Sequence, residues 1–277
     1  MRLPPFLQRF DTVNLRMRII SSLIMVPGVL LAVWLGGLAY GAMVTCVATL
    51  GLFEWLRLVT PQAKAQTVGI ACAMLIVLTT AGFFISISFG ALLGVIFTLA
   101  LFLILIRDHD ERAGWAALGI PYMGGSALAL LALRALPDYG AAFVLYLLVT
   151  VWGTDIGAFV AGRMIGGPKL APAISPSKTW AGLLGGMALS VILGYLAALF
   201  LNARHPAVAL ALSPVLACVA QVGDLFESYF KRRSGVKESG DLIPGHGGVL
   251  DRIDGLVFAG VFAFLFQAAL GQQMGLW

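Results

Sequence analysis

Two pairs of acidic residues near the end of the chain have a spacing suited to chemistry on a helix surface. Asp224 and Glu227 lie three residues apart in one apolar segment, and Asp251 and Asp254 lie three residues apart in the next. Residues at i and i+3 share one face of a helix. Four carboxylates on neighbouring helices repel one another unless a cation lies between them, and hard oxygen ligands favour Mg²⁺ or a similar ion. The spacing therefore predicts a metal site formed by these four residues.

Basic residues beside the carboxylates allow a second interpretation, which stays open at this point. Lys231, Arg232 and Arg252 could neutralise the carboxylates as ion pairs without any metal. Either arrangement would offset the cost of a carboxylate inside a bilayer, which is about 2.5–3.5 kcal/mol on insertion scales.

Two loops rich in glycine, proline and basic residues lead into apolar segments of the same region. One is Gly245-His246-Gly247-Gly248 and the other is Ser175-Pro176-Ser177-Lys178-Thr179. Glycine lets backbone N–H groups approach a phosphate, and a helix N-terminus favours an anion. Either loop alone is also typical of a capped turn. Together with the carboxylates, the loops predict a site where metal and lysine hold a phosphorylated substrate.

The elements that must position these residues are membrane-spanning helices. Of the 277 residues, 60% are hydrophobic and 11% are charged, whereas soluble domains carry about 25% charged residues. This composition excludes intrinsic disorder. The three cysteines lie in apolar runs, which favours buried thiols over a disulfide scaffold or a zinc site. No charged residue occurs from Ile19 to Phe53 or from Ala65 to Ile106, and each run is long enough for two spans.

The apolar runs predict one all-α membrane domain over residues 1–277, with residues 1–140 as scaffold and residues 150–255 containing the catalytic groups. Glu54, near the end of the second span, is interpreted as an ion pair with Arg57. The nine predicted spans are Ile19–Leu38, Gly41–Leu56, Thr67–Ile87, Phe89–Ile106, Ala116–Leu133, Ala141–Ala161, Gly182–Leu201, Ala207–Phe230 and Val249–Leu270.

The basic residues predict the orientation of these spans. With the N-terminus in the cytoplasm, all of the 18 Lys and Arg residues except Arg134 and Arg204 fall on the cytoplasmic side, as the positive-inside rule requires. The net charge of +5 is then a consequence of topology and does not imply binding to nucleic acid. We expect a multi-pass protein of the cell's cytoplasmic (inner) membrane, with its active site facing the cytoplasm.

The acidic and glycine-rich segments together resemble the signature of phosphatidate cytidylyltransferases, the CDP-diacylglycerol synthases. The resemblance is close over about residues 150–255, and the N-terminal half is similar only in hydropathy and length. Glu238 departs from the pattern, because the family usually has aspartate there. The matching segments are Asp155–Phe159, Lys169–Pro172, Ser175–Trp180, Gly223–Glu227, Ser228–Arg232, Lys237 with Glu238, and Leu242–Asp254.

The resemblance implies a reaction in which CTP and phosphatidate give CDP-diacylglycerol and pyrophosphate, for phospholipid biosynthesis. It also implies an all-helical homodimer in the lipid bilayer, with a polar cavity open to the cytoplasm. The implied cofactors are a divalent cation, Mg²⁺ or Mn²⁺, and a potassium ion beside it. Asp224 and Asp251 match the family's ion-binding aspartates.

From the resemblance and from residue chemistry together, we assign each candidate a role. Asp224 and Asp251 are expected to hold the metal directly and to be essential for catalysis, with Glu227 and Asp254 as weaker or indirect ligands. Asp155 is expected to orient a base or to complete the ion site. The phosphate groups are assigned to Ser175, Lys178, Thr179, Lys231, Arg232, Lys237, Gly247, Gly248 and Arg252.

The phosphate chemistry leaves little need for a general base. A phosphate monoester has a second pKa of about 6 and is mostly ionised near neutral pH. His246 and Lys237 are counted among the catalytic residues, and His246 is interpreted as a hydrogen-bond donor to phosphate or as a structural residue, with a general-base role as the less favoured alternative.

Three other functions compete with this interpretation. Intramembrane carboxylates also mark cation-coupled transporters, although transporters usually show paired repeats in both halves of the chain. Gly223-Asp224 has a counterpart in intramembrane aspartyl proteases, which need no lysines. A sister enzyme that uses CTP on another lipid phosphate is the hardest to distinguish by sequence.

Overall fold

The computed structural model describes residues 12–243 and 247–277, and leaves the side chains of residues 12–20, 22 and 272–274 undescribed. In this part of the chain a small β-hairpin and a π-helical turn, Ile120–Gly124, interrupt a succession of α-helices. The helices are α1 (Thr12–Leu35), α2 (Gly37–Val59), α3 (Ala65–Phe84), α4 (Ile87–Arg107), α5 (Ala113–Ala117), α6 (Gly125–Arg134), α7 (Gly140–Met164), α8 (Trp180–Phe200), α9 (Val208–Arg233) and α10 (Leu250–Met274).

Most of these helices are long and apolar enough to span a membrane, which confirms the predicted all-α fold of a multi-pass protein. Eight spans meet this criterion within the described residues, and α1 adds a shorter apolar stretch, Leu23–Leu35. Large apolar side chains stay exposed on the outer helices, as with Val95 and Leu99 on α4. Such side chains are stable on a surface that faces acyl chains.

The fifth span differs from the single helix that the sequence predicts over Ala116–Leu133. It consists of α5, the π-helical turn and α6, which together cross the membrane between Ala113 and Arg134. The interruption contains Pro121, which has no backbone N–H and disturbs the hydrogen-bond pattern of a helix. As a result, Tyr122 lies on an irregular turn within the fifth span.

A two-stranded hairpin lies where the sequence predicts only a loop between two spans. Strand β1 (Lys169–Ala171) pairs with strand β2 (Ser175–Thr179) in antiparallel orientation, with Lys169 opposite Thr179. Thr179 then ends the strand and begins α8, because its Oγ1 accepts a hydrogen bond of 3.0 Å from the Gly182 N–H. The hairpin therefore places Lys178 just before the start of α8.

Helices α7 and α8 pack backbone to backbone through small residues. A Cβ atom added at Gly157 of α7 would lie 2.5 Å from the carbonyl oxygen of Gly185 in α8 and 2.8 Å from the Leu189 Cβ. Small residues permit such approaches between membrane helices, where van der Waals packing supplies much of the association energy. This contact holds Asp155 near the hairpin and α8.

The candidate site residues lie at one end of the helix bundle. The Ser234 hydroxyl at the end of α9 donates a 2.7 Å hydrogen bond to the Leu58 carbonyl near the end of α2. At the same end, Lys64 forms an exposed ion pair of 2.5 Å with Asp108, and this hydrogen bond lowers the pKa of Asp108. At the opposite end, the Arg134 guanidinium donates to the Val33 carbonyl at 2.8 Å. Arg134 thus lies at the end of the bundle opposite Lys64, and the orientation of the bundle in the membrane stays a prediction.

We expect Gly157→Ala to lower the thermal midpoint of the protein in detergent. The new methyl group meets a backbone carbonyl that cannot move away, and overpacking of this kind costs about 1–3 kcal/mol. Gly69→Ala on α3 is the matched control, because no atom lies within 4 Å of the added Cβ. Equal midpoints for the two variants would contradict the close packing of α7 and α8.

Candidate active site

Lys231 lies at the centre of the site and joins two helices through their carboxylates. Its Nζ is 2.5 Å from Glu227 Oε2, one turn earlier on α9, and 2.7 Å from Asp251 Oδ1 in the first turn of α10. All three side chains are buried or nearly so. This lysine therefore neutralises two carboxylates that would otherwise repel each other, as the ion-pair interpretation of the sequence requires.

A second lysine neutralises the carboxylate of Asp224. Lys178, at the end of β2, forms an ion pair with Asp224 and donates a 3.2 Å hydrogen bond to Gln221 Oε1 on the same face of α9. The Ser228 hydroxyl donates to the other Asp224 oxygen at 3.2 Å. The hairpin and α9 are thus connected through the carboxylate that sequence analysis assigned to the metal.

Asp251 is held by the loop that precedes its helix. Its Oδ2 accepts hydrogen bonds from the Gly248 N–H at 2.9 Å and from the Ser239 N–H and hydroxyl at 2.9 and 3.0 Å. Gly247 turns the chain with a φ of 79°, and a Cβ there would lie 2.8 Å from the same oxygen. Gly247 and Gly248 therefore position Asp251 in this structure, and their contact with a phosphate stays a prediction.

Glu54 is the largest departure from the sequence-based interpretation. The predicted ion pair with Arg57 is wrong, because the Arg57 guanidinium lies over the Phe53 ring at 5.5 Å while Glu54 turns inward and is 2% exposed. Its two oxygens accept the Val249 N–H at 2.9 Å and the Leu250 N–H at 2.8 Å. A residue of α2 therefore caps the start of α10, where unpaired N–H groups favour an anion.

The acidic side of the site also includes Asp254 and the second oxygen of Glu227. Asp254 lies within electrostatic range of Asp224, Glu227 and Asp155. Glu227 Oε1 is buried and has no hydrogen-bond partner among the described residues. A buried anionic oxygen without a donor is costly, and a cation would remove that cost.

The described residues do not form a ready metal cage. Within residues 12–243 and 247–277, no three His, Cys, Asp or Glu side chains converge as a metal group. Asp224 and Asp251 are each engaged by a lysine. The direct metal role of these aspartates, and the weaker roles of Glu227 and Asp254, remain predictions, with Glu227 Oε1 as the structural feature that fits a cation best.

The other predicted residues divide between structural contacts and exposed positions. Thr179 caps α8, and Arg232 donates to the carbonyls of Ile174 and Val236 at 3.3 and 3.4 Å instead of pairing with a carboxylate. Ser175 is buried in the hairpin, while Lys237 is exposed on the loop after α9. Their proposed contacts with phosphate are untested.

Two further predicted residues complete this account. Arg252, in the first turn of α10, lies close enough for its charge to act on Asp155. His246 lies outside the described residues, so its role stays a prediction.

Tyr122 belongs to the site although sequence reasoning passed over it. Its ring packs against Phe226 with centroids 5.3 Å apart, and the charges of Glu227, Asp254 and Asp224 act on it. Its hydroxyl is buried without a partner among the described residues. In the sequence, the only feature that could have indicated this position was a tyrosine next to a proline inside an apolar span. For Glu54, the signal was an acidic residue within a span, which marks a functional position more often than an apolar one does.

The chain is similar along almost its whole length to one protein family. A sequence model of a protein family, described as "Cytidylyltransferase family", matches residues 16–270. A phosphatidate cytidylyltransferase of Brucella suis is 39% identical over 260 residues, which cover 94% of this chain and 95% of that protein. Proteins of the same name from Pseudomonas aeruginosa and Bacillus subtilis are 35% and 30% identical, each over 92% of this chain and 98% of the relative.

Replacement of Lys231 by methionine should strongly destabilise the protein. The change leaves Glu227 and Asp251 buried without their shared cation, and breaking a buried pair costs about 3–5 kcal/mol. The free energy of unfolding can be measured by SDS titration in mixed micelles. Lys64→Met is the matched control, because it removes a 2.5 Å ion pair from a lysine that is 66% exposed and should change stability little. Similar losses in both variants would contradict the central role of Lys231.

Replacement of Tyr122 by phenylalanine should leave stability unchanged or raise it. The substitution removes a buried hydroxyl without a partner, whose desolvation costs about 1–3 kcal/mol. Tyr146→Phe is the control, because the Tyr146 hydroxyl pairs with the Ser213 hydroxyl at 2.8 Å and its loss should be destabilising. Thermal midpoints in the same detergent compare the two, and a lower midpoint for Tyr122→Phe than for Tyr146→Phe would show that the Tyr122 hydroxyl has a stabilising partner.

Proposed function

This chain belongs to the cytidylyltransferase family, and we propose that it transfers the cytidylyl group of CTP to phosphatidate, giving CDP-diacylglycerol and pyrophosphate. As a member of this family it is a nucleotidyltransferase. The phosphatidate cytidylyltransferases that it resembles along nearly their full length support the choice of substrates. The structural observation that supports the proposal most is the pair of lysines, Lys178 and Lys231, among carboxylates at one end of the membrane helices.

The chemistry requires charge neutralisation more than proton transfer. A phosphate oxygen of phosphatidate attacks the α-phosphorus of CTP, the new P–O bond forms, and the bond to the β-phosphate oxygen breaks to release pyrophosphate. The attacking phosphate has a second pKa of about 6 and is mostly ionised near neutral pH. The difficulty is to bring two polyanions together, which positioned cations resolve.

The two central lysines are suited to this task because their charges are already oriented. Lys178 on the hairpin and Lys231 on α9 are each held by carboxylates. Each ammonium group has further hydrogens with which to meet a phosphate oxygen. We propose that Lys178 and Lys231 bind the phosphates of CTP and of the lipid, with Arg252 and the exposed Lys237 at the margin of the site.

We propose that a divalent cation, Mg²⁺ or Mn²⁺, is held by Asp224 and Asp251 with support from Glu227 and Asp254. Glu227 Oε1 is the buried acceptor that lacks a donor. When bound, the cation would neutralise charge on the triphosphate and on the departing pyrophosphate. A potassium ion beside it, a homodimeric assembly and a site that opens to the cytoplasm also belong to the proposal. The distribution of basic residues supports that orientation.

We expect the purified protein in detergent to release pyrophosphate only when CTP, phosphatidate and Mg²⁺ are all present. EDTA should abolish turnover, and Asp224→Asn should lower kcat by roughly 100-fold or more. Replacing potassium salts with choline salts tests the monovalent ion in the same assay. Asp138→Asn is the matched control, because Asp138 is exposed at the other end of the bundle and has a φ of 63° that asparagine tolerates.

The outcomes separate the parts of the proposal. Turnover with another lipid phosphate but not with phosphatidate would overturn the lipid substrate and favour the sister enzyme. Turnover that persists in EDTA, or in Asp224→Asn at the level of Asp138→Asn, would overturn the metal assignment.

A further inference from the structure

Glu54 joins the N-terminal half of the protein to the loop that holds Asp251. In addition to the Val249 and Leu250 N–H groups, it accepts a 3.2 Å hydrogen bond from the Ser239 hydroxyl. That hydroxyl also lies 3.0 Å from Asp251 Oδ2. Ser239 therefore stands between two carboxylates, one from α2 and one from α10, and its single proton can serve only one of them at a time.

The hydrogen-bond donors around Glu54 indicate that it functions as a fixed anion. Two backbone N–H groups and one hydroxyl point at its oxygens, so each oxygen acts as an acceptor. The N-terminus of α10 adds a favourable partial positive charge. A carboxylate satisfied in this way is rigid, and a neutral amide could not replace it, because its NH₂ group would face other donors.

Two glycines allow the loop to close on Glu54. A Cβ at Gly240 would lie 2.8 Å from Glu54 Oε1, and its three nearest atoms all belong to the Glu54 side chain. A Cβ at Gly248 would lie 2.7 Å from Glu54 Cδ. The loop on both sides of residues 244–246 is thus packed directly against this one carboxylate.

We propose that Glu54 is a positioning residue for nucleotidyl transfer, acting through Ser239, Gly248 and Asp251. It fixes the loop against α2, the loop donates two N–H groups to Asp251 and shares the Ser239 hydroxyl between Asp251 and Glu54, and Asp251 in turn orients Lys231. This inference rests on the proposed function for its activity readout. Its structural part, the fixing of the loop by Glu54, can be tested without any turnover.

The first experiment compares Glu54→Gln with the wild-type protein in steady-state kinetics and in hydrogen–deuterium exchange. Displacement of catalytic groups by about 1 Å can cost 100-fold, so we expect kcat to fall roughly 10- to 100-fold with a much smaller change in KM for CTP. Exchange should rise in peptides that contain Ser239 and Gly248–Leu250 and stay unchanged in peptides from α3. Glu111→Gln, on an exposed turn, is the control variant.

A double-mutant cycle with Ser239→Ala tests whether Glu54 acts through the loop. Groups in one hydrogen-bond network show non-additive effects. The kcat loss in the double variant should therefore be smaller than the product of the two single losses by about threefold or more. Strictly multiplicative losses would show that Glu54 acts by some other route.

A second pair of substitutions tests the proposal if Glu54→Gln does not fold. One enlarges residue 240 and the other shortens the side chain at position 54. Gly240→Ala pushes a methyl group against the Glu54 carboxylate, and Glu54→Asp withdraws that carboxylate by one methylene. We expect the double variant Glu54→Asp/Gly240→Ala to recover activity relative to Gly240→Ala alone, with a matching decrease in exchange of the loop peptides.

The outcomes distinguish this inference from the proposed function. If the wild-type protein turns over and Glu54→Gln keeps kcat within about twofold, the positioning role is wrong and the proposed function stands. If the wild-type protein shows no turnover with phosphatidate, the proposed function fails. The exchange measurement then decides the structural part alone, and unchanged exchange in Glu54→Gln would overturn it.

Discussion

The arrangement of the site depends on the cost of placing carboxylates in an interior without water. A buried anion needs a cation or several hydrogen-bond donors close by, because the low dielectric neither solvates nor screens its charge. Lys231 satisfies this need for Glu227 and Asp251 together, and Lys178 satisfies it for Asp224. Helices α9 and α10 and the hairpin before α8 are therefore connected through charge.

The same constraint explains why the loop before α10 is rich in glycine. Asp251 and Glu54 take hydrogen bonds from backbone N–H groups of this loop, and the loop lies so close to both carboxylates that a Cβ on its glycines would crowd them. These glycines are Gly240, Gly247 and Gly248. In the sequence these glycines are also consistent with a phosphate-binding loop. In the structure, N–H groups of this loop donate to the carboxylates of Asp251 and Glu54. The same N–H groups could bind a phosphate only if they left these carboxylates.

Sequence patterns were sufficient for the all-α membrane fold, and they selected C-terminal charged residues that the structure brings together, while the roles of those residues stay predictions. Long uncharged runs predicted the spans, and the i, i+3 carboxylates with nearby lysines predicted a charged centre that includes Lys231. The break at Pro121 and the hairpin at Lys169–Thr179 were missed, since a π-helical turn and two short strands have little periodicity. Glu54 was misassigned because Arg57 provides a suitable local partner in the sequence, while its backbone donors are 195 and 196 residues away in the chain. Local spacing cannot reveal such a contact.

The position of Glu54 also changes how the two halves of the chain should be understood. Residues 1–140 were interpreted as scaffold, yet α2 supplies the anion that caps α10, and the π-helical turn places the Tyr122 hydroxyl near the carboxylates. Trp55, next to Glu54, stacks on Phe226 of α9 with a centroid distance of 5.9 Å. This aromatic contact packs α2 against α9 beside Glu54. The charged groups of the site are therefore positioned by contacts from both halves of the chain, and a substitution in the N-terminal half can alter their arrangement without touching any residue of the signature.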